Sequence, residues 1–174
     1  MNKMLLLYST TDGHTLKISR RLIDEISKNG IEVILDDIAN ADSHELKNYS
    51  KVIVGASIRY GRHSQDVYDF INRYRTALDN MPNAFFSVNV VARKANKNRP
   101  HTNPYLKKFL RQVKWQPRQC AVFAGRINYA MYSFWDRNII RLIMWITHGP
   151  TDPESDIEFT NWLEVSEYGR QLCR

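Results

Sequence analysis

Lys3-Met4-Leu5-Leu6-Leu7-Tyr8, followed at once by Ser9-Thr10-Thr11-Asp12-Gly13-His14-Thr15, is the stretch that decides the fold. After Lys3 the first segment is a continuous apolar run, short enough for a buried strand, and the second is turn-prone. Beyond it Ile18, Leu22, Ile23 and Ile26 recur at helical spacing among charged residues, and Gly30 stands where a helix C-cap is expected. The same strand, loop, helix unit then repeats. Residues 31–35 and 51–56 read as strands, the second with a β-branched Val52-Ile53-Val54 centre, and 43–49 as a short helical turn. Val67, Phe70, Ile71, Tyr74 and Leu78 share one helical stripe, and Pro82 turns the chain into a strand over 84–88. Pro104 opens a helix carrying Leu106, Phe109, Leu110 and Val113, residues 120–124 form a fifth strand, and 161–172 a last helix with Trp162, Val165 and Leu172 inward. Apolar strands alternating with amphipathic helices predict a doubly wound α/β domain, its five-stranded parallel sheet covered on both faces.

The chain has 174 residues, 43% apolar and 25% charged, which suits one globular domain over 1–174. No apolar run approaches the roughly 18 residues that span a bilayer, and the N-terminal run is too short for a signal-peptide core, so a cytoplasmic protein is expected. Cys120 and Cys173 lack any CxxC or Cys/His spacing, which predicts free thiols and no metal site. The net charge is +7, and no acid occurs between Asp79 and Asp136, where Arg93, Lys94, Lys97, Arg99, Lys107, Lys108, Arg111, Lys114, Arg118 and Arg126 all fall. Such a face attracts nucleic acid, anionic lipid or an anionic small molecule. No nucleic-acid motif accompanies it, so a nucleic-acid partner is not expected.

Open parallel sheets bind ligands at the carboxyl ends of their strands. After the first strand, Ser9 to Thr15 offers hydroxyls, one Gly and a helix N-terminus suited to a phosphate, without the Lys of a Walker loop or a dinucleotide glycine pattern. The competing reading is that Thr11 or Asp12 merely caps the helix. After the third strand, Ser57-Ile58-Arg59-Tyr60-Gly61 sets a cation and a stackable ring beside the same cleft, though Tyr60 equally suits covering a helix end. After the fourth, Asn89-Val90-Val91-Ala92-Arg93-Lys94 reads either as the cleft's other wall or as a solvated basic turn.

Together these loops carry a resemblance. The whole chain resembles the flavodoxin fold, and Ser9 to Thr15, Gly55 to Gly61, Ser87 to Lys94 and Trp135-Asp136-Arg137 are similar to the bacterial quinone-dependent protoporphyrinogen IX dehydrogenases. The resemblance implies FMN as cofactor. Its phosphate falls to Ser9, Thr10, Asp12, Gly13, His14 and Thr15, and its ring to Ser57, Ile58, Arg59, Tyr60, Gly61, Asn89, Val91, Ala92, Arg93 and Lys94. It further implies oxidation of protoporphyrinogen IX to protoporphyrin IX in haem biosynthesis, with electrons passed to a membrane quinone, menaquinone or ubiquinone. Arg59, Arg93, Lys94 and other cations of the acid-free stretch are candidates for the substrate propionates, and no residue stands out as a general base. A soluble flavodoxin-type electron carrier and an FMN-dependent quinone reductase are the alternatives; the basic balance counts against the carrier.

By the same resemblance, an insert at about 127–156 interrupts the last part of the sheet, and 156–159 is expected to resume the fifth strand. The insert should hold one helix, apolar on most of its circumference. It is expected either to pack into the core or to dock on the anionic inner face of the cell membrane through Trp135, Ile139, Ile143 and Trp145.

Overall fold

The computed structural model describes residues 3–174; Met1 and Asn2, included in the expected domain, lie outside the described residues. Strand β1 (Lys3–Ser9) leads into helix α1 (His14–Ser27), β2 (Glu32–Asp37), β3 (Lys51–Ser57), α2 (Gln65–Asp79), β4 (Asn83–Asn89), α3 (Pro104–Val113) and β5 (Gln119–Ala124). The five strands are parallel in the order β2-β1-β3-β4-β5. The predicted elements therefore stand within a few residues of their expected limits, with the turn over 43–49 split into two short 3₁₀ segments. Leu5, Leu7, Val52, Val54 and Phe85 pack on α2 and α3 on one face, and Met4, Leu6, Ile53 and Phe86 pack on α1 and the C-terminal helix on the other. Gly55 is fixed by that packing: a Cβ there would stand 2.1 Å from the ring of Phe86, its neighbour on β4.

The strand order reverses at β1 and β3, so their loops diverge and open a crevice at the carboxyl edge. Over that edge lies the insert, formed by β6 (Arg126–Asn128), α4 (Phe134–Ile146) and β7 (Asp156–Glu158), and the chain closes with α5 (Trp162–Leu172). Residues 156–159 do not resume β5. Asp156–Glu158 pairs antiparallel with Arg126–Asn128 in a separate two-stranded sheet, held by Arg126 donating to Asp156 at 2.6 Å. On α5, Val165 and Leu172 are buried as expected, while Trp162 is half-buried.

Candidate functional site

Helix α1 begins at Gly13, whose φ of 77° an L side chain rarely adopts, and no side chain caps it. Neither Thr11 nor Asp12 takes the capping role, which leaves the first N–H groups of α1 available to a ligand. The hydroxyls of Thr10 and Thr15 are buried and have no hydrogen-bond partner among the described residues. Both residues line an open cleft shared with the loops after β3 and β4. Two buried unpaired donors beside uncapped N–H groups fit a phosphate. Ser9 turns elsewhere, its Oγ 2.8 Å from that of Ser64.

His14 also lines the cleft. The Thr160 hydroxyl gives its proton to the Ala124 carbonyl (2.7 Å), so the 2.6 Å contact with His14 Nε2 is donated by the ring. Burial lowers the His14 pKa, against the opposing field of Glu158.

The second wall, Ser57 to Gly61, ends in a tight turn. Tyr60 (φ 51°) and Gly61 (φ 78°) are both left-handed and close the Arg59–Arg62 bridge, a geometry that Gly accepts freely and Tyr only with strain. Tyr60 is half exposed on the cleft, with Gly61 against Tyr105 of α3. Behind the turn, buried His63 donates from Nδ1 to the Ser57 carbonyl (3.0 Å). On the third wall Asn89 and Val91 line the cleft, and Asn89 Oδ1 accepts from the Ala92 amide (3.2 Å) and from Asn103 (3.0 Å).

Four other expected residues do not line the cleft. Gly13 shapes the loop from outside it. Ala92 is buried with the core beneath α2 and α3, and Lys94 is half-buried off the rim. Arg93 turns away altogether, donating to the carbonyls of Val90 (3.1 Å) and Thr147 (3.2 Å) and to the Thr147 hydroxyl (3.3 Å). Arg59, though it lines the cleft, is also engaged: its guanidinium bridges Asp12 (3.1 Å) and Asp136 (3.0 Å) and lies over the Tyr132 ring at 4.9 Å. Both arginines are thus already engaged by groups of the chain itself.

What the arginines grip is the insert helix. Ser133 caps α4 through the Asp136 amide, and its C-terminus closes with His148 in the left-handed region, the His148 amide on Trp145 and the Gly149 amide on Met144. Gly149 sits close under both side chains: a Cβ there would stand 2.6 Å from Met144 Sδ and 2.9 Å from an Arg93 guanidinium nitrogen, so both flexible ends would have to shift. Asp136, Ile140, Ile143, Met144 and Thr147 follow helical spacing along one stripe, with Arg59 holding its first residue and Arg93 its last. Ile140, Ile143 and Met144 line the cleft together with Ile127 and Tyr132. The opposite face leaves Phe134, Trp135, Leu142, Trp145 and Ile146 between 56% and 75% exposed. The helix therefore packs by one face only, Met144 joining a small core with Ile127, Tyr129 and Tyr132, and Ile143, expected on the outer face, points inward. No described helix is long and apolar enough to cross a membrane.

A 2-1-3-4-5 sheet with a hydroxyl-lined loop at the start of α1 and two flanking loops at its switch point defines a flavodoxin-type domain. Residues 5–154 match the family model described as Flavodoxin domain. A flavodoxin from the domain Archaea shares the fold at a TM-score of 0.54 and 15% identity, covering 98% of this chain and 96% of that one. More narrowly, the chain is 39% identical over 171 residues to protoporphyrinogen IX dehydrogenase [quinone] of Escherichia coli K12, covering 98% of this chain and 94% of the relative. It is 45% identical over 175 residues to the protein of that name from Leishmania major, covering 98% and 74%. The chain belongs to the protoporphyrinogen IX dehydrogenase [quinone] family.

Proposed function

We propose that this protein oxidises protoporphyrinogen IX to protoporphyrin IX with FMN as its cofactor and passes the electrons to a membrane quinone. Supporting this reading are the orphaned hydroxyls of Thr10 and Thr15 at the uncapped start of α1, in a chain so similar to relatives of that name. FMN, when bound, supplies the two-electron redox chemistry. The chain's part is to hold and shield it. Thr10 and Thr15 donate to the phosphate with the backbone N–H groups from Asp12 to Thr15, while Ser57 to Gly61 and Asn89 to Val91 flank the ring. The Arg59 bridge fixes the loop after β3 relative to the phosphate loop and the insert, so that cofactor and substrate meet in one geometry. Six electrons and six protons leave the porphyrinogen, which requires three rounds of substrate oxidation and reduction of three quinones to quinols. With Arg59 and Arg93 engaged within the chain, Lys94 and the other cations of the acid-free stretch remain as candidates for a propionate.

We read 1–174 as one FMN-binding domain, its insert at about 127–156 serving as both cleft wall and membrane foot. The exposed face of α4 is the foot: burying Trp135, Leu142 and Trp145 at about 1.5–3 kcal/mol each gives about 5–9 kcal/mol before association costs, enough for peripheral attachment at the cytoplasmic face of the membrane that holds the quinone.

The test is anaerobic turnover. Purified protein reconstituted with FMN should generate fluorescent protoporphyrin from protoporphyrinogen when menaquinone or ubiquinone is added, and almost none with NAD(P)⁺ as acceptor. No porphyrin with either quinone would refute the reading, and rapid reduction by NADPH would turn it toward a quinone reductase.

A further inference from the structure

The proposed reaction needs two partners of opposite character, a tetrapyrrole bearing two carboxylates and an uncharged, lipophilic quinone. The cleft distinguishes between them. Its charged lining side chains Asp12, Arg59 and Arg126 are all held in ion pairs: Arg59 with both Asp12 and Asp136, and Arg126 with Asp156. With the amides and hydroxyls at the start of α1 given to the FMN phosphate, a substrate carboxylate entering the cleft finds no unpaired arginine or lysine there, and burying it unpaired is costly. An uncharged ligand incurs no such cost. The insert side of the cleft is apolar, made by Ile127, Ile140, Ile143 and Met144. Exposure also grades around α4 without a polar break, from Met144 at 3% through half-buried Ile140 and Ile143 to Ile139 at 44% and Leu142 at 56%. One helix thus presents apolar surface continuously from the cofactor cleft to the outer face.

We propose that the inner stripe of α4, Ile140, Ile143 and Met144 with Ile127, is the acceptor subsite. It takes the ring of a lipophilic quinone, whose prenyl tail leaves over Ile139 onto the exposed face of the same helix. The proposal rests on the quinone-dependent reading, and it places the substrate's carboxylates outside the cleft.

The test uses FMN-loaded protein in detergent micelles, which removes membrane attachment as a variable. Calorimetry gives the dissociation constant of a short-tailed menaquinone for the wild type, Ile143→Asn, Ile143→Trp, the conservative Ile143→Leu, and Leu163→Asn on the exposed surface of α5. FMN content and the rate of flavin bleaching by protoporphyrinogen are read on each. Ile143→Asn, by polarity, and Ile143→Trp, by filling the space, should each weaken the quinone at least tenfold. Both should keep their FMN, and Ile143→Leu and Leu163→Asn should bind the quinone as the wild type does. Unchanged quinone affinity in both disruptive variants overturns the assignment, as does loss of FMN in both, which would give the stripe to the flavin. A wild type that binds the quinone through Ile143 yet is not bleached by protoporphyrinogen would remove the proposed substrate and support the subsite.

Discussion

Replacing Thr15 by Val keeps the shape of the side chain and deletes only a hydroxyl. Thr15 is fully buried and its Oγ1 is unpaired among the described residues, so in the flavin-free protein that hydroxyl is a liability. A buried unsatisfied polar group costs about 1–3 kcal/mol, and T15V should stabilise the flavin-free fold by up to that amount. With FMN bound the sign reverses. A hydrogen bond to a charged phosphate contributes about 1.5–3 kcal/mol, and its loss should raise the FMN dissociation constant about 10–150-fold. The T10V/T15V pair should go further in both directions, though by less than the sum, because both hydroxyls face one phosphate. Urea unfolding of the flavin-free protein at constant slope reads the first effect, and FMN titration by flavin fluorescence reads the second. A variant that loses stability without FMN and binds FMN as tightly as before would show that the hydroxyl has a purely structural role, and the phosphate assignment would fall.

Arg59→Met should free α4 from the site. The lost bridge is worth about 1–2 kcal/mol after allowance for partial exposure, and hydrogen exchange should quicken over residues 134–146 while α1 is unaffected. His63 gives a pH signature. The unfolded chain takes a proton near pH 6.5, whereas burial between Phe85 and Phe109 pushes the native group down to about 4, so protonation pulls toward unfolding. Stability present above pH 6.5 is lost as pH falls toward about 4, by about 3 kcal/mol in all, and H63F should flatten that part of the urea-midpoint profile. Replacing Trp135, Leu142 and Trp145 together by Ser should abolish co-sedimentation with anionic liposomes at full flavin content; equal binding by the variant would contradict the membrane role.

The sheet was legible because each strand is a short apolar run and each helix carries its own stripe, both local signals. The proposed phosphate loop is local in the same way, since Thr10 follows the end of β1 and Thr15 stands in the first turn of α1, only a few residues apart. The arginines were not. Nothing local tells Arg59 from a substrate ligand, because Asp136 lies 77 positions away, and Arg93 becomes a tie only when Thr147 closes α4 beside it. Likewise the three-residue strands β6 and β7 are too short to show a period, so 156–159 reads as a resumption of β5. Tyr132, Ile140 and Met144 were missed as cleft residues because apolar residues all around α4 conceal which face turns inward. The one available signal was the spacing of Asp136, Ile140, Ile143 and Thr147.

The most direct test of the central claim separates the two half-reactions. FMN-loaded protein is mixed anaerobically with protoporphyrinogen, and once the spectrum settles, menaquinone is added. The flavin absorbance should bleach in the first mixing without any nicotinamide and return in the second, with porphyrin fluorescence rising in proportion to the quinone consumed. A flavin that stays oxidised with protoporphyrinogen, or that bleaches and is not restored by menaquinone or ubiquinone, would contradict the account.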